Sequence, residues 1–143
     1  MKRLFAVFMI VLLLAGCSSP NSPDDVDILE IGERFFVTQI EQIFIDTETY
    51  LGRTIRYEGM FFSSHWEGED FHYVIRHTFG CCGDDGMIGF EVMLNGIEPF
   101  PDDTWVEVTG VLEEYNLDWR TILVINAISV TEMPERGLEF VEN

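Results

Sequence analysis

Between residues 53 and 130 the chain repeats one pattern five times: apolar side chains at every second position, each run closed by a few turn residues. In "RTIRYEGMFFSS" (53–64) Ile55, Tyr57, Gly59 and Phe61 share one side. "FHYVIRHTF" (71–79) sets Phe71, Tyr73, Ile75, His77 and Phe79 on one side and His72, Val74, Arg76 and Thr78 on the other. "MIGFEVML" keeps Ile88, Phe90, Val92 and Leu94 in step, and "TWVEVTGVLEEY" does the same for Val106, Val108 and Leu112. "TILVINAISV" ends the series with an apolar run broken by Asn126. Successive side chains of a strand point to opposite faces, so a period of two marks strands with one buried and one wet face.

The connections "HWEGED", "GCCGDDG", "NGIEPFPDD" and "NLDW" are short and rich in turn residues, and the third is too short and too proline-bearing for a full helix. An open sheet of this length would leave exposed edges, which closure removes. The expected fold is therefore all-β: a small five-stranded OB-like barrel with little helix, formed by an antiparallel meander. Gly59, Gly89 and Gly110 lie inside strand patterns, where a bulge or tight coiling is the usual reason. The stretch "EIGERFFVTQIEQIFIDTETYLG" is ambiguous. Phe35, Val37, Gln39, Glu41, Ile43 and Ile45 alternate imperfectly, while Ile31, Phe35, Ile40, Ile43 and Phe44 fit a helical stripe about as well. Its β-branched residues favour a strand, followed by a helical turn over 47–51 that Asp46 would cap.

The first sixteen residues, "MKRLFAVFMIVLLLAG", carry Lys2 and Arg3, then an apolar run too short to span a bilayer, then small residues: the layout of a secretory signal peptide. Leu14, Ala15, Gly16 and Cys17 resemble the lipobox of bacterial lipoproteins, which implies cleavage before Cys17 and lipidation of its sulfur. The expected organisation is a signal peptide over 1–16, a lipidated flexible tether over 17–29 and one OB-like domain over 30–143. The expected location is the extracytoplasmic face of the cell membrane. Without the leader the chain has 26 acidic residues against 6 arginines, a net charge near −20. A field of that sign repels phosphate backbones and attracts cations or basic partners, so no nucleic-acid partner is expected.

"YLGRTIRYEGMF" (50–61), "CCGDD" (81–85) and "DDTWVEVTGVL" (102–112) together resemble the C-terminal region of the YcgQ-like family of uncharacterised bacterial membrane proteins. That family shows a Tyr-x-Gly-Lys/Arg opening, adjacent cysteines with an aspartate three residues after the second, and a Trp-Val-x-Val-x-Gly strand. Asp85 falls on that aspartate. The resemblance covers roughly 47–130 and implies an OB-like extracytoplasmic domain tied to metal or small-ligand transport. Family members carry membrane helices ahead of this domain, so here transport would require a separate envelope permease or another protein partner.

Three readings compete for Cys81 and Cys82. Thiolates are soft ligands for zinc or copper, and Asp84, Asp85 and His77 are near enough in sequence to complete a shell. Adjacent cysteines are a poor fit to one tetrahedral ion, however, and outside the cytoplasm they also suit a vicinal disulfide, with Gly80 and Gly83 supplying backbone freedom. In the third reading the pair is structural, one thiol packed as a small hydrophobe. His77, in phase with Tyr73, Ile75 and Phe79, reads first as a core histidine; His65 and His72 read as solvated. Trp66, Trp105 and Trp119 read as packing or turn residues, and the paired acids 84–85, 102–103 and 113–114 lack calcium-loop spacing. No nucleophilic triad or phosphate loop is evident, so the expectation is not an enzyme but a binding module, with thiol-redox and partner-binding roles as alternatives.

Overall fold

The structure, a computed structural model, describes residues 27–79, 85–117 and 120–142. Strands β2 (Thr54–Trp66), β3 (Glu69–Phe79), β4 (Asp85–Met93), β5 (Trp105–Leu117) and β6 (Arg120–Glu132) form where the period-two pattern placed them. Their sheet order is β2-β5-β6-β4-β3, and β3 pairs back onto β2, so the five strands close into an OB-like barrel. Two short strands flank it: β1 (Ile28–Glu30) runs parallel to β2, and β7 (Phe140–Val141) parallel to β3. The expected meander is corrected in one respect. β4 pairs with β6 and not with β5, and the pairing is parallel over Glu91–Val124, Val92–Ile125 and Met93–Asn126. The non-helical connection 94–104 allows this by carrying the chain past β6 to the edge of β2.

The interior is built from the in-step residues. Ile55, Tyr57 and Phe61 of β2, Phe90 and Val92 of β4, and Val106, Val108 and Leu112 of β5 all lie in one buried cluster. All three strand glycines are there because a neighbouring strand passes too close for a side chain: a Cβ on Gly59 would sit 2.7 Å from Ile75 O. A Cβ on Gly110, at the bulge between Thr109 and Gly110, would sit 2.5 Å from Asn126 O, and one on Gly89 would collide with Val74 O. Tyr57 ties three strands: its hydroxyl donates to Val74 O (2.8 Å) and accepts from Phe90 N (3.3 Å). Burial pushes that phenol far above its ordinary value.

Residues 36–45 are a helix, not the expected strand. A 3₁₀ turn over Glu33–Phe35 leads into α1 (Phe36–Ile45), followed by α2 (Thr47–Tyr50). Phe36, Val37, Ile40 and Ile43 make an i, i+1, i+4, i+7 stripe, all buried in the same core as the barrel, and Phe36 meets Tyr57 edge-on with ring centroids 5.8 Å apart. Burial of this stripe outweighs the β-propensity of its branched residues. The turn at 47–50 forms as expected, but Asp46 makes no side-chain cap; Thr47 Oγ1 instead bonds back to Ile43 O at 3.1 Å. No described helix is long and apolar enough to cross a membrane.

Candidate functional site

The turn that bears the cysteines joins the paired ends of β3 and β4. Residues 80–84 connect Phe79 to Asp85, which are register partners, so Gly80, Cys81, Cys82, Gly83 and Asp84 all lie outside the described residues, as does Cys17. Asp85 enters through its backbone, opposite Phe79. His77 and Met87 form a pair one step further along the same ladder face, about 7 Å from that end.

His77 is not a core residue. The face it shares with Tyr73, Ile75 and Phe79 points outward, and the opposite face, with Val74 and Arg76, points in. The ring of His77 stacks on Phe140 of β7 at 5.1 Å, and Phe140 stacks in turn on Phe79 at 5.2 Å. Its Nε2 lies 3.9 Å from a Glu139 carboxylate oxygen, and its Nδ1 is buried with no hydrogen-bond partner among the described residues. At 3.9 Å the Glu139 carboxylate is at ion-pair distance from the ring and makes no hydrogen bond to it, so the stacking on Phe140 is what positions the imidazole. Exposed Met87 adds a thioether at the same end, a soft donor that sequence reasoning passed over because period two treats methionine only as a hydrophobe. Among the described residues no group of three or more His, Cys, Asp or Glu side chains is close enough to hold a metal ion. A metal site at this end therefore depends on the cysteine pair.

His72, expected to be solvated, faces inward and stacks on Phe61 at 5.5 Å, with Nδ1 3.0 Å from Ser63 Oγ. His65 is exposed, as expected, and bonds Asp70 at 2.6 Å. Trp105 is buried at the start of β5, whereas Trp66 is 69% exposed, and Trp119 lies outside the described residues. Of the paired acids, Asp102 accepts from Ser63 N, Asp103 pairs with Arg136, and Glu113 accepts from Asn126. Each has a structural role.

Arg76 is the residue that alternation most misjudged. It is 1% exposed, and its guanidinium lies between the rings of Phe36 (4.6 Å) and Trp105 (4.9 Å). Nε donates to Glu58 O (2.8 Å), and Nη1 to Leu138 O (3.1 Å) and more weakly to Glu33 Oε1 (3.5 Å). Burial lowers the guanidinium's affinity for its proton, and Glu33 and Glu58 act in the opposite sense. Arginine stays protonated at working pH regardless, so this is a structural cation.

A second concavity runs along β3 and β4, where outward-facing Tyr73 and Glu91 meet the strand ends. Three hollows of about 470, 390 and 380 Å³ adjoin one another: Glu91 lines all three, Tyr73 two of them, and Phe71 and Leu117 two. The tip of the β2–β3 hairpin contributes Trp66, Glu67 and Glu69, the far part of β5 contributes Tyr115, and α1 contributes Phe44.

No curated protein matches the chain. Among solved structures it is similar to the N-terminal domain of the PriB protein from Thermoanaerobacter tencongensis, a dimeric structure, at 21% identity, with 57% of this chain and 97% of that one covered and a TM-score of 0.34. It is also similar to a small single-stranded DNA-binding protein from Streptomyces coelicolor, at 17% identity, with 60% and 98% covered and a TM-score of 0.38. The expectation of no nucleic-acid partner is corrected here: a neighbour named for binding single-stranded DNA stands against an exclusion drawn from net charge. A charge total describes long-range steering and leaves open what a local groove holds. At these scores the likeness carries no argument about what this chain binds. The family model for the DUF1980 C-terminal domain matches residues 20–140; the match concerns the domain and neither a membrane helix nor a lipid anchor. All five barrel strands and the cysteine-bearing turn fall inside it, and the chain belongs to that family.

Proposed function

We propose that this domain is a lipid-anchored, extracytoplasmic binding module that takes a soft metal ion, zinc or copper, at the β3–β4 turn. Cys81 and Cys82 would supply thiolates, His77 an imidazole, and Asp84 and Asp85 carboxylates. The observation that supports this reading is His77: Nδ1 buried without a partner among the described residues, and Nε2 turned to Glu139, two residues from the strand end that carries the cysteines. The donor set fits soft ions, with Met87 favouring copper(I) over zinc. Lipidation at Cys17 would hold the module at the membrane, beside an envelope permease or other protein that passes or receives the ion. The acidic surface would raise the local cation concentration.

The same residues frame a thiol-redox alternative, in which the adjacent cysteines close a disulfide between flanking glycines. Metal analysis of the full chain, purified under reducing conditions, separates the two. The proposal expects about one zinc or copper per chain, lost in both Cys81→Ser and Cys82→Ser and weakened in His77→Gln. No metal but a reversible two-electron thiol titration would establish the redox role instead. Neither result would leave only a structural, partner-binding scaffold.

A further inference from the structure

The concavity along β3 and β4 shares no lining residue with the end of the barrel that carries the cysteines, and its chemistry differs. Its walls are aromatic and acidic together. Trp66 and Tyr115 are 69% and 45% exposed and line its hollows. Phe71 shares a hollow with each of them, and Tyr73 is register partner of Glu91, so ring and carboxylate share one face of the sheet. Glu67 and Glu69, at the β2–β3 tip, have no ion-pair partner among the described residues, and no arginine whose side chain is described lines any of the three hollows.

Aromatic faces attract cations through the ring quadrupole, and carboxylates fix the charged end. From these groups the geometry points to an extended, arginine- or lysine-bearing segment of a partner protein as the occupant of this groove. Charge complementarity selects a cation. The extent of the groove selects a chain over a single small amine: Glu69 to Tyr73 alone spans about 13 Å of strand, and the hollows continue beyond both ends. Alternating side chains of an extended segment would enter successive hollows, with guanidinium planes against Trp66, Tyr73 and Tyr115.

The test is fluorescence anisotropy of a labelled Arg-Gly-Arg-Gly-Arg-Gly-Arg peptide titrated with the full chain at physiological ionic strength. Trp66→Ala and Tyr115→Ala, which leave net charge unchanged, are each expected to weaken binding about three- to tenfold. Glu67→Gln with Glu69→Gln is expected to weaken it at least as much. Glu132→Gln with Glu142→Gln, an equal charge change on exposed residues away from the groove, is expected to alter it less than about twofold. Circular dichroism checks that every variant is folded. Equal loss in the control pair, or unchanged binding in Trp66→Ala, would overturn the proposal by showing diffuse charge attraction alone. Displacement of the peptide by spermine at lower concentration than by unlabelled peptide would make the occupant a small polyamine and overturn it too. So would a single-stranded oligonucleotide that binds more tightly than the peptide and loses affinity in the same variants.

Discussion

Replacing Arg76 tests the internal logic of the fold most directly. Its guanidinium donates charged hydrogen bonds to two backbone carbonyls, Glu58 O and Leu138 O, each worth about 1.5–3 kcal/mol. It also lies between two rings, each contact worth about 0.5–2 kcal/mol. Against these stands the cost of removing a cation from water, several kcal/mol at a site 1% exposed. The opposing terms are similar in size, so the net worth of the arrangement is small, but its loss is not. Arg76→Ala takes the guanidinium donors from the two carbonyls, leaves Glu33 only the Leu138 N–H, and opens a cavity between Phe36 and Trp105; the expected destabilisation is about 3–5 kcal/mol. Arg76→Met refills most of that volume and keeps the ring contacts, so it is expected to cost about 1–3 kcal/mol. Urea unfolding of the full chain, followed by tryptophan fluorescence at constant m-value, measures both. A loss under about 0.5 kcal/mol in Arg76→Ala would refute the reasoning. Equal losses in the two variants would refute the part assigned to packing.

Tyr57→Phe strips the donor from Val74 O and the acceptor from Phe90 N inside the core, and should lower stability by about 1–3 kcal/mol in the same urea assay, with no change in the circular dichroism of the native state. Gly89→Ala, which would drive a Cβ into Val74 O, is expected to cost at least about 2 kcal/mol, whereas Gly32→Ala, with nothing within 4 Å, should stay within about 0.5 kcal/mol; similar urea midpoints for the two would contradict the close strand approach. The hydrogen bond and charge of Arg136 hold Asp103 below its ordinary value of 3.8. A carboxyl depressed in the folded state stabilises above its unfolded value and loses that contribution as pH falls through the folded one, so Asp103→Asn should lower the urea midpoint near pH 7 and by progressively less as pH falls below 3.8. A uniform shift across that pH range would show that Asp103 acts by some route other than its charge.

The five barrel strands were legible because each is half-buried, so its pattern is a direct record of its two faces. Ile55, Tyr57 and Phe61 needed nothing beyond period two to be assigned to the core. The pattern failed where side-chain length mattered more than polarity. On β3 the face with Tyr73, Ile75 and His77 looks more apolar than the face with His72, Val74 and Arg76, yet the second is inside, because Phe36, Trp105 and two carbonyls surround the guanidinium. Those partners are 40 residues before, 29 after, 18 before and 62 after Arg76, and no local window contains them. The helix at 36–45 was missed for a related reason: its buried stripe is defined by the barrel it covers, and without that barrel its branched residues read as a strand. The parallel pairing of β4 with β6 is three residue pairs long and leaves no periodic trace. At the candidate site, sequence alone singled out the cysteine turn and His77, but not the unused Nδ1 or the neighbouring thioether of Met87, which depend on strand register.

The arginines explain how a chain this acidic keeps its ends in place. Arg53 pairs with Asp27, Arg56 with Glu30, Arg76 with Glu33 and Leu138, and Arg136 with Asp103 and Glu139. Each reaches from the barrel to a segment before or after it, or from the C-terminal segment back to the barrel; of the arginines with described side chains, only Arg34 has no ion pair among the described residues. The strands themselves are held by buried apolar surface and backbone pairing, so cations are spent where the chain has little to bury. Exposed ties of this kind contribute little individually, and the buried Arg76 is the exception that couples the 3₁₀ turn, β2, β3 and the segment before β7 at one point. With nearly all the described basic side chains committed in this way, Glu67 and Glu69 at the β2–β3 tip are left without an ion-pair partner among the described residues. The surface a visitor meets is consequently more uniformly anionic than the net charge of −18 conveys, and that bias favours a cation at either proposed site before any specific contact is made.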